Sequence, residues 1–195
     1  MKKLKLAAIL AVVMASPALA HPGHGDTSGF IAGIAHPVFG SDHLLAMLAV
    51  GLWSGFVMPN RVWAGAAAFL SAMGLGAAMS WSGIAIPGVE GWILASVVAF
   101  GVLTAVSRPG QPRAMTLASL GTIALFAMCH GHAHATEAQG NALGYLAGFL
   151  IATAGLHLAG IAMARAVANG AAARLIQGAA GAAIAVAGVA MMTAG

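Results

Sequence analysis

The chain has 195 residues, of which 61% are hydrophobic and only 6% are charged. Because a soluble domain carries about 25% charged residues, this composition excludes an ordinary soluble fold and predicts a polytopic membrane protein. The net charge of +4 does not indicate a nucleic-acid partner, since the basic residues lie at the ends of apolar segments instead of clustering on one face.

The apolar segments are long and continuous, which predicts transmembrane helices rather than the alternating strands of a β-barrel. The predicted fold class is therefore an all-α membrane protein. It begins with a cleaved signal peptide over residues 1–20. One bundle of six transmembrane helices follows over residues 21–195, and its first helix is broken. The single cysteine, Cys129, excludes an internal disulfide framework.

The N-terminus has the organisation of a secretory signal. Three lysines within the first five residues precede an apolar stretch, residues 6–14, which is shorter than the roughly 20 residues needed to cross a bilayer. Ala18-Leu19-Ala20 then fits an A-x-A cleavage site, so His21 would become the mature N-terminus. The alternative is an uncleaved membrane anchor.

Six apolar segments follow, and the charges between them predict their orientation. The segments cover residues 28–57, 62–80, 91–106, 114–129, 142–164 and 175–193. With His21 outside, alternation places every connector arginine in the cytoplasm and the acidic connector residues outside. The arginines are Arg61, Arg108, Arg113, Arg165 and Arg174, and the acids are Asp26, Glu90 and Glu137. This obeys the positive-inside rule and predicts that the mature N-terminus lies outside, on the side opposite the cytoplasm.

The first segment is too long for one straight crossing. Pro37 and Gly40 are expected to break its helix near residues 36–41. We predict that Ser41 caps the second half, with Asp42 in its first turn. Broken spans of this kind form ion sites in transporters. Six spans also divide into two halves of three, which would have opposite topology.

His36, Asp42 and His43 surround this predicted break. Ionisable groups are costly at membrane depth, and imidazole with carboxylate is a ligand set for Ni²⁺, Co²⁺ or Zn²⁺. On an unbroken helix the two histidines would lie about 10 Å apart, too far for one ion with bonds of about 2 Å. The break allows a shared site. The alternatives are two successive stations on one path, or a hydrogen-bonded cluster that locks two helices.

His130, His134 and Glu137 form a second group at the outer end of the fourth segment. If the helix continues to Glu137, the three share one face and form a half-site for a divalent metal. His132 points elsewhere and is a weaker candidate ligand. The alternative is an exposed histidine-rich loop without specific binding.

Three other histidines are weaker candidate ligands. His21 and His24 would form a flexible segment that captures metal at the mature N-terminus, and the alternative is a disordered polar tail. His157 lies deep in the fifth segment, where a lone histidine is more often a hydrogen-bonded packing residue than a ligand.

G-x-x-x-G patterns beginning at Gly51 and Gly140 predict close helix contacts, within one chain or between chains, so a homo-oligomer is among the expected partners. The sequence contains no P-loop, dinucleotide fingerprint, G-x-S-x-G or H-E-x-x-H motif. We therefore expect no enzyme, no catalytic residues, no ATP hydrolysis and no prosthetic group.

The two histidine motifs resemble those of the HupE/UreJ family of hydrogenase- and urease-associated nickel/cobalt permeases, and the resemblance covers nearly the whole chain. The family's first pattern, H-P-x-x-G-x-D-H-x-x-A-M, is complete here from His36 to Met47. Its second pattern, F-H-G-x-A-H-G-x-E, is matched from His130 to Glu137, except that Cys129 replaces the phenylalanine and Ala135 the second glycine.

The resemblance implies a six-helix permease for secondary uptake of Ni²⁺, with Co²⁺ as the second candidate, for metalloenzyme assembly. It also implies location in the bacterial inner membrane, with the mature N-terminus in the periplasm. The metal would be the substrate and not a resident cofactor. Two other interpretations stay open. One is a membrane sensor or chaperone that binds metal without transporting it. The other is an intramembrane metalloenzyme in which Asp42 or Glu137 serves as acid or base.

Overall fold

The computed structural model describes residues 29–138 and 141–194, and all regular secondary structure within these ranges is α-helical. The predicted signal peptide, His21, His24 and Gly140 lie outside the described residues. The seven helices, in chain order, are α1 (Gly29–Phe39), α2 (Ser41–Val57), α3 (Ala64–Trp81), α4 (Val89–Val106), α5 (Arg113–Glu137), α6 (Ala142–Val167) and α7 (Ala173–Ala194).

Helices α3 to α7 are each long and apolar enough to cross a membrane, and α1 with α2 passes the same test as a bent pair. The described residues therefore contain five candidate spans, or six if the bent pair is one span. A helical bundle is the expected result, because helices satisfy their own backbone hydrogen bonds in lipid. The predicted helical membrane architecture is confirmed.

The helix of the first predicted span is broken at Gly40, between α1 and α2, as predicted. Gly40 is extended (φ −76°, ψ 112°), and the axes of α1 and α2 differ by 76°. Pro37 lies inside α1 rather than at the break. The prediction that Ser41 caps α2 is wrong. Gly40 occupies the cap position without a side-chain hydrogen bond, and Ser41 is the first helical residue.

The fourth span is longer than the predicted 114–129 segment, because α5 continues to Glu137. The residues from Cys129 to His134 are buried against neighbouring helices. The helix therefore continues through this polar stretch, which the sequence predicts to be the start of a connector. His130, His134 and Glu137 thus share one face of a continuous helix.

Close contacts between glycines and backbone set the positions of the central helices. A Cβ atom on Gly131 of α5 would overlap the carbonyl of Met73 on α3, and one on Gly76 of α3 would overlap that of Met128 on α5. Gly51 of α2 is in the same relation to the backbone of α6. Small residues allow such close approach in membrane bundles, and here they fix the register of α5 against α3.

The helices pack mainly in three pairings: the first span with α6, α3 with α5, and α4 with α7. In span numbers these are one with five, two with four, and three with six. Suppose that span one changes places with span four, span two with span five, and span three with span six. The same three pairings then result. The packing therefore agrees with the predicted division into two halves of three spans.

Charged residues separate to the two ends of the bundle. Arg165 donates to the carbonyl of Pro59 (3.3 Å) and Arg174 to that of Ser107 (2.7 Å), which brings three connectors together at one end. At the other end the His132 ring donates to the carbonyl of Ile84 (2.6 Å) in the α3–α4 connector. The histidine motifs lie at this second end.

Candidate metal centre

Three histidines from three helices converge where the first span breaks. His36 on α1, His43 on α2 and His134 on α5 each offer one ring nitrogen, and these atoms all lie within 4.8 Å of one another. The ring centroids of His36 and His43 are 5.1 Å apart, because the bend at Gly40 turns α1 back over the start of α2. We call His36, His43 and His134 the three-histidine cluster.

Carboxylates fix the tautomers of two members of this cluster. The Asp42 carboxylate accepts a hydrogen bond from Nδ1 of His43 (2.7 Å), and the Glu137 carboxylate accepts one from Nδ1 of His134 (3.2 Å). A neutral imidazole with hydrogen on Nδ1 has a bare lone pair on Nε2. A carboxylate that orients an imidazole in this way is the usual outer partner of a metal-binding histidine.

The two bare nitrogens, Nε2 of His43 and Nε2 of His134, face each other. Nε2 of His43 and Nε2 of His134 are 2.5 Å apart. Two lone pairs in this arrangement repel each other unless a proton or a cation lies between them. A transition metal with nitrogen bonds of about 2.0–2.1 Å would hold these atoms roughly 3 Å apart or slightly more. The geometry thus requires only a small outward movement of one ring to admit an ion.

The cluster has a buried floor and an exposed rim. The side chains of His43 and His134 are 6% and 2% exposed, whereas those of His36 and Glu137 are 36% and 45% exposed. The Phe149 ring covers His134, with centroids 4.2 Å apart. His36 and Glu137 therefore form the accessible side of the cluster, and His43 and His134 form its buried side.

His130 is adjacent to the cluster but has a different partner. Its ring is 5.0 Å from that of His43, and its Nε2 lies 3.0 Å from the Ser96 hydroxyl. Ser96 is a site residue that sequence reasoning missed. A serine inside an apolar segment gives no signal of its own, and the same is true of Phe149.

His132 and His157 lie outside the cluster. The His132 ring is engaged with the Ile84 carbonyl, which joins α5 to the α3–α4 connector. The His157 ring donates through Nδ1 to the Met47 carbonyl on α2 (2.8 Å). The alternative of an exposed histidine-rich loop is wrong for this chain, because His130, His132 and His134 are buried within α5.

Comparison with known proteins identifies the family. A family model described as HupE / UreJ protein matches residues 9–191. Protein HupE from Rhizobium leguminosarum bv. viciae is 39% identical over 195 residues, which cover 98% of this chain and 99% of that protein. No solved structure matches the chain. The match extends over nearly the whole sequence and includes both histidine motifs, so the chain belongs to the HupE/UreJ family.

Proposed function

We propose that this chain is a secondary transporter that takes up a divalent transition metal across the bacterial inner membrane. Ni²⁺ is the first candidate and Co²⁺ the second, with delivery to hydrogenase or urease assembly as the role implied by the family resemblance. The observation that carries the proposal is the three-histidine cluster, in which two bare nitrogens are oriented by carboxylates at a helix break inside a membrane bundle.

The donor set supports a borderline divalent metal. Imidazole nitrogen suits Ni²⁺, Co²⁺ and Zn²⁺, whereas Mg²⁺ and Ca²⁺ prefer oxygen ligands. In this proposal His36, His43 and His134 bind the ion, while Asp42 and Glu137 offset its charge through the imidazole rings. A dication in a low-dielectric interior needs such compensation, because an uncompensated buried charge is very costly.

The break at Gly40 gives the site a means of movement. The ring of His36 belongs to α1 and that of His43 to α2, so a change in the angle between these helices alters the spacing of the ligands. Discontinuous helices of this type form ion sites in secondary transporters. A gradient of ions or binding inside the cell would drive net uptake in the absence of an ATP-hydrolysis motif.

Uptake of ⁶³Ni²⁺ into proteoliposomes tests the proposal. The chain offers a matched pair of variants, since His132 and His134 are both buried on α5 but only His134 belongs to the cluster. We expect the wild type and His132→Ala to accumulate metal, and His134→Ala to lose accumulation while it still inserts.

Two results would overturn the proposal. Saturable Ni²⁺ binding to the wild type without entry would indicate a sensor or chaperone. Metal-dependent turnover of a co-reconstituted lipid or peptide, again without metal entry, would indicate an intramembrane enzyme.

A further inference from the structure

A second pair of histidines lies about one helical turn below the three-histidine cluster. His130 precedes His134 by four residues on α5, a helix that runs towards the cluster end of the bundle. The His157 ring binds the carbonyl of Met47 on α2. Met47 follows His43 by four residues, and α2 runs away from the cluster end of the bundle. Four residues rise about 6 Å. His130 and His157, here called the inner pair, therefore lie deeper at similar levels.

The hydrogen bond of His157 determines which of its nitrogens is free. A carbonyl oxygen can only accept, so Nδ1 carries the hydrogen that is donated to Met47. In the neutral ring Nε2 then has a bare lone pair. The ring is fully buried, and Nε2 has no hydrogen-bond partner among the described residues. A backbone carbonyl on one imidazole nitrogen is a common arrangement behind a metal-binding histidine.

One nitrogen of His130 is also fixed by a hydrogen bond. The Ser96 hydroxyl donates its one hydrogen to the Ile93 carbonyl (2.6 Å), so its oxygen accepts from Nε2 of His130 (3.0 Å). The lone pair is then on Nδ1. This atom is buried and unpartnered within residues 29–138 and 141–194. Both members of the inner pair thus have one nitrogen fixed by the protein and one left bare.

An aromatic ring connects the two histidines. The Phe69 ring on α3 is 5.5 Å from the ring of His130 and 5.0 Å from that of His157, measured between centroids. His130 is in turn 5.0 Å from His43 of the cluster. The four rings form a continuous series that leads from the cluster towards the middle of the bundle.

The inner pair is a costly feature for a structure that only needs packing. A buried polar atom without a partner costs about 1–3 kcal/mol, and most such atoms in proteins are satisfied. One turn before His157 on α6, the Thr153 hydroxyl is also buried and has no partner in the described part of the chain. Nδ1 of His130, Nε2 of His157 and the Thr153 hydroxyl are thus three polar atoms in this region of the bundle that the described residues leave free to contact a ligand.

We propose that Nδ1 of His130 and Nε2 of His157 form a second, inner station for a divalent transition metal, with the Phe69 ring between them. This inference rests on the proposed transport function. The ion would exchange the cluster nitrogens for the His130 nitrogen and then pass to His157. A single histidine donor holds an ion less tightly than the three donors of the cluster, and conduction requires sites that release as well as bind.

Two conservative variants separate a ligand from a packing residue. His157→Asn keeps a donor near the position of Nδ1 for the Met47 carbonyl and removes Nε2. His130→Gln keeps a donor near the position of Nε2 for Ser96 and removes Nδ1. Ser54→Ala is the control, since the Ser54 hydroxyl is also buried and unpartnered within the described ranges but takes no part in the inner pair.

The experiment measures Ni²⁺ affinity in detergent and the rate of ⁶³Ni²⁺ uptake into proteoliposomes for each variant. We expect both histidine variants to keep Kd within about twofold of the wild type. Their maximal uptake rate should fall at least about tenfold, in line with the loss of a metal ligand or its support. Ser54→Ala should match the wild type in both measurements.

The outcomes distinguish this inference from the transport proposal. Normal uptake by His157→Asn, in a system where the wild type accumulates Ni²⁺, would overturn the inner station alone and assign His157 to packing. If His157→Asn lost Ni²⁺ affinity and uptake to the same extent, the inner station would also be overturned. His157 would then support metal binding at the three-histidine cluster instead of binding metal itself. If the wild type fails to accumulate Ni²⁺, both proposals are overturned. If His157→Asn does not insert, the same criteria apply to His130→Gln.

Discussion

Nε2 of His43 and Nε2 of His134 lie 2.5 Å apart, although the residues are separated by 91 positions in the sequence. Each ring is held from behind by a carboxylate close to it in the chain, Asp42 for His43 and Glu137 for His134. Local sequence therefore orients each lone pair, and the packing of α2 and α5 directs both to one point.

Asp42 should affect metal affinity through His43. Asp42→Asn keeps an acceptor oxygen for Nδ1 of His43 but removes the charge, and we expect Ni²⁺ affinity to fall about tenfold. Asp42→Ala removes the acceptor as well and should lower affinity about 100-fold, since outer partners of metal ligands typically contribute 10–100-fold. Isothermal titration calorimetry of the detergent-solubilised protein measures both. Equal affinity in the two variants would contradict the orienting role.

Metal binding should weaken as pH is lowered. The ligand is the neutral imidazole, so protons compete with the metal for the same ring nitrogens as the pH falls. Affinity should approach a tenfold decrease per pH unit for each proton displaced. Calorimetry in two buffers of different ionisation enthalpy counts the protons released. A Kd that stays constant down to the lowest pH at which the protein remains folded would contradict histidine ligation.

Gly131 should be essential for the position of His130 and His134. Alanine at this position would place a methyl group against the Met73 backbone, and overpacking of this kind costs about 1–3 kcal/mol. Gly131→Ala should therefore lower both the melting temperature and the Ni²⁺ affinity.

Gly121→Ala is the matched control on the same helix, because a Cβ there meets nothing within 4 Å. It should leave affinity unchanged and slightly raise stability, since alanine is the better helix former by about 1 kcal/mol. Thermal unfolding in detergent compares the two variants. A similar effect of both substitutions would exclude a specific role for the α3–α5 contact.

The end of the bundle with the cluster should face the periplasm. Ser82 and Ala171 are exposed at opposite ends, and Cys129 is replaced by serine to provide a background without cysteine. A membrane-impermeant maleimide should label Ser82→Cys in intact spheroplasts. Ala171→Cys should react only after permeabilisation. The reverse pattern would invert the predicted topology and place the cluster on the cytoplasmic side.

Several features followed from local sequence. Gly40 marked the broken span because its effect on the backbone is local, whereas Pro37, which was expected to contribute to the break, lies inside α1. The grouping of His130, His134 and Glu137 on one face followed from helical periodicity alone. The family was also recognisable from these motifs, and the comparisons confirm it. The metal-capturing role of His21 and His24 stays a prediction.

Other features depended on neighbours that are distant in sequence. The fourth span was predicted to end at Cys129, because a run of histidines has the composition of a connector. It continues to Glu137 since α3 and other helices cover that stretch. Ser41 was expected to cap α2, yet the chain turns at Gly40, which lacks a side chain. Ser96 and Phe149 gave no signal before their contacts with His130 and His134 were known.

The sequence by itself determined a helical membrane protein, the break in its first span and the residues able to ligate a metal. These follow from hydropathy, backbone stereochemistry and side-chain chemistry, which are properties of short segments. Only the tertiary structure decided which donors meet. His134 faces His36 and His43 while His132 is engaged elsewhere, because glycine contacts such as that of Gly131 with Met73 fix the register between helices. Convergence of distant donors is a property of packing, and no local pattern encodes it.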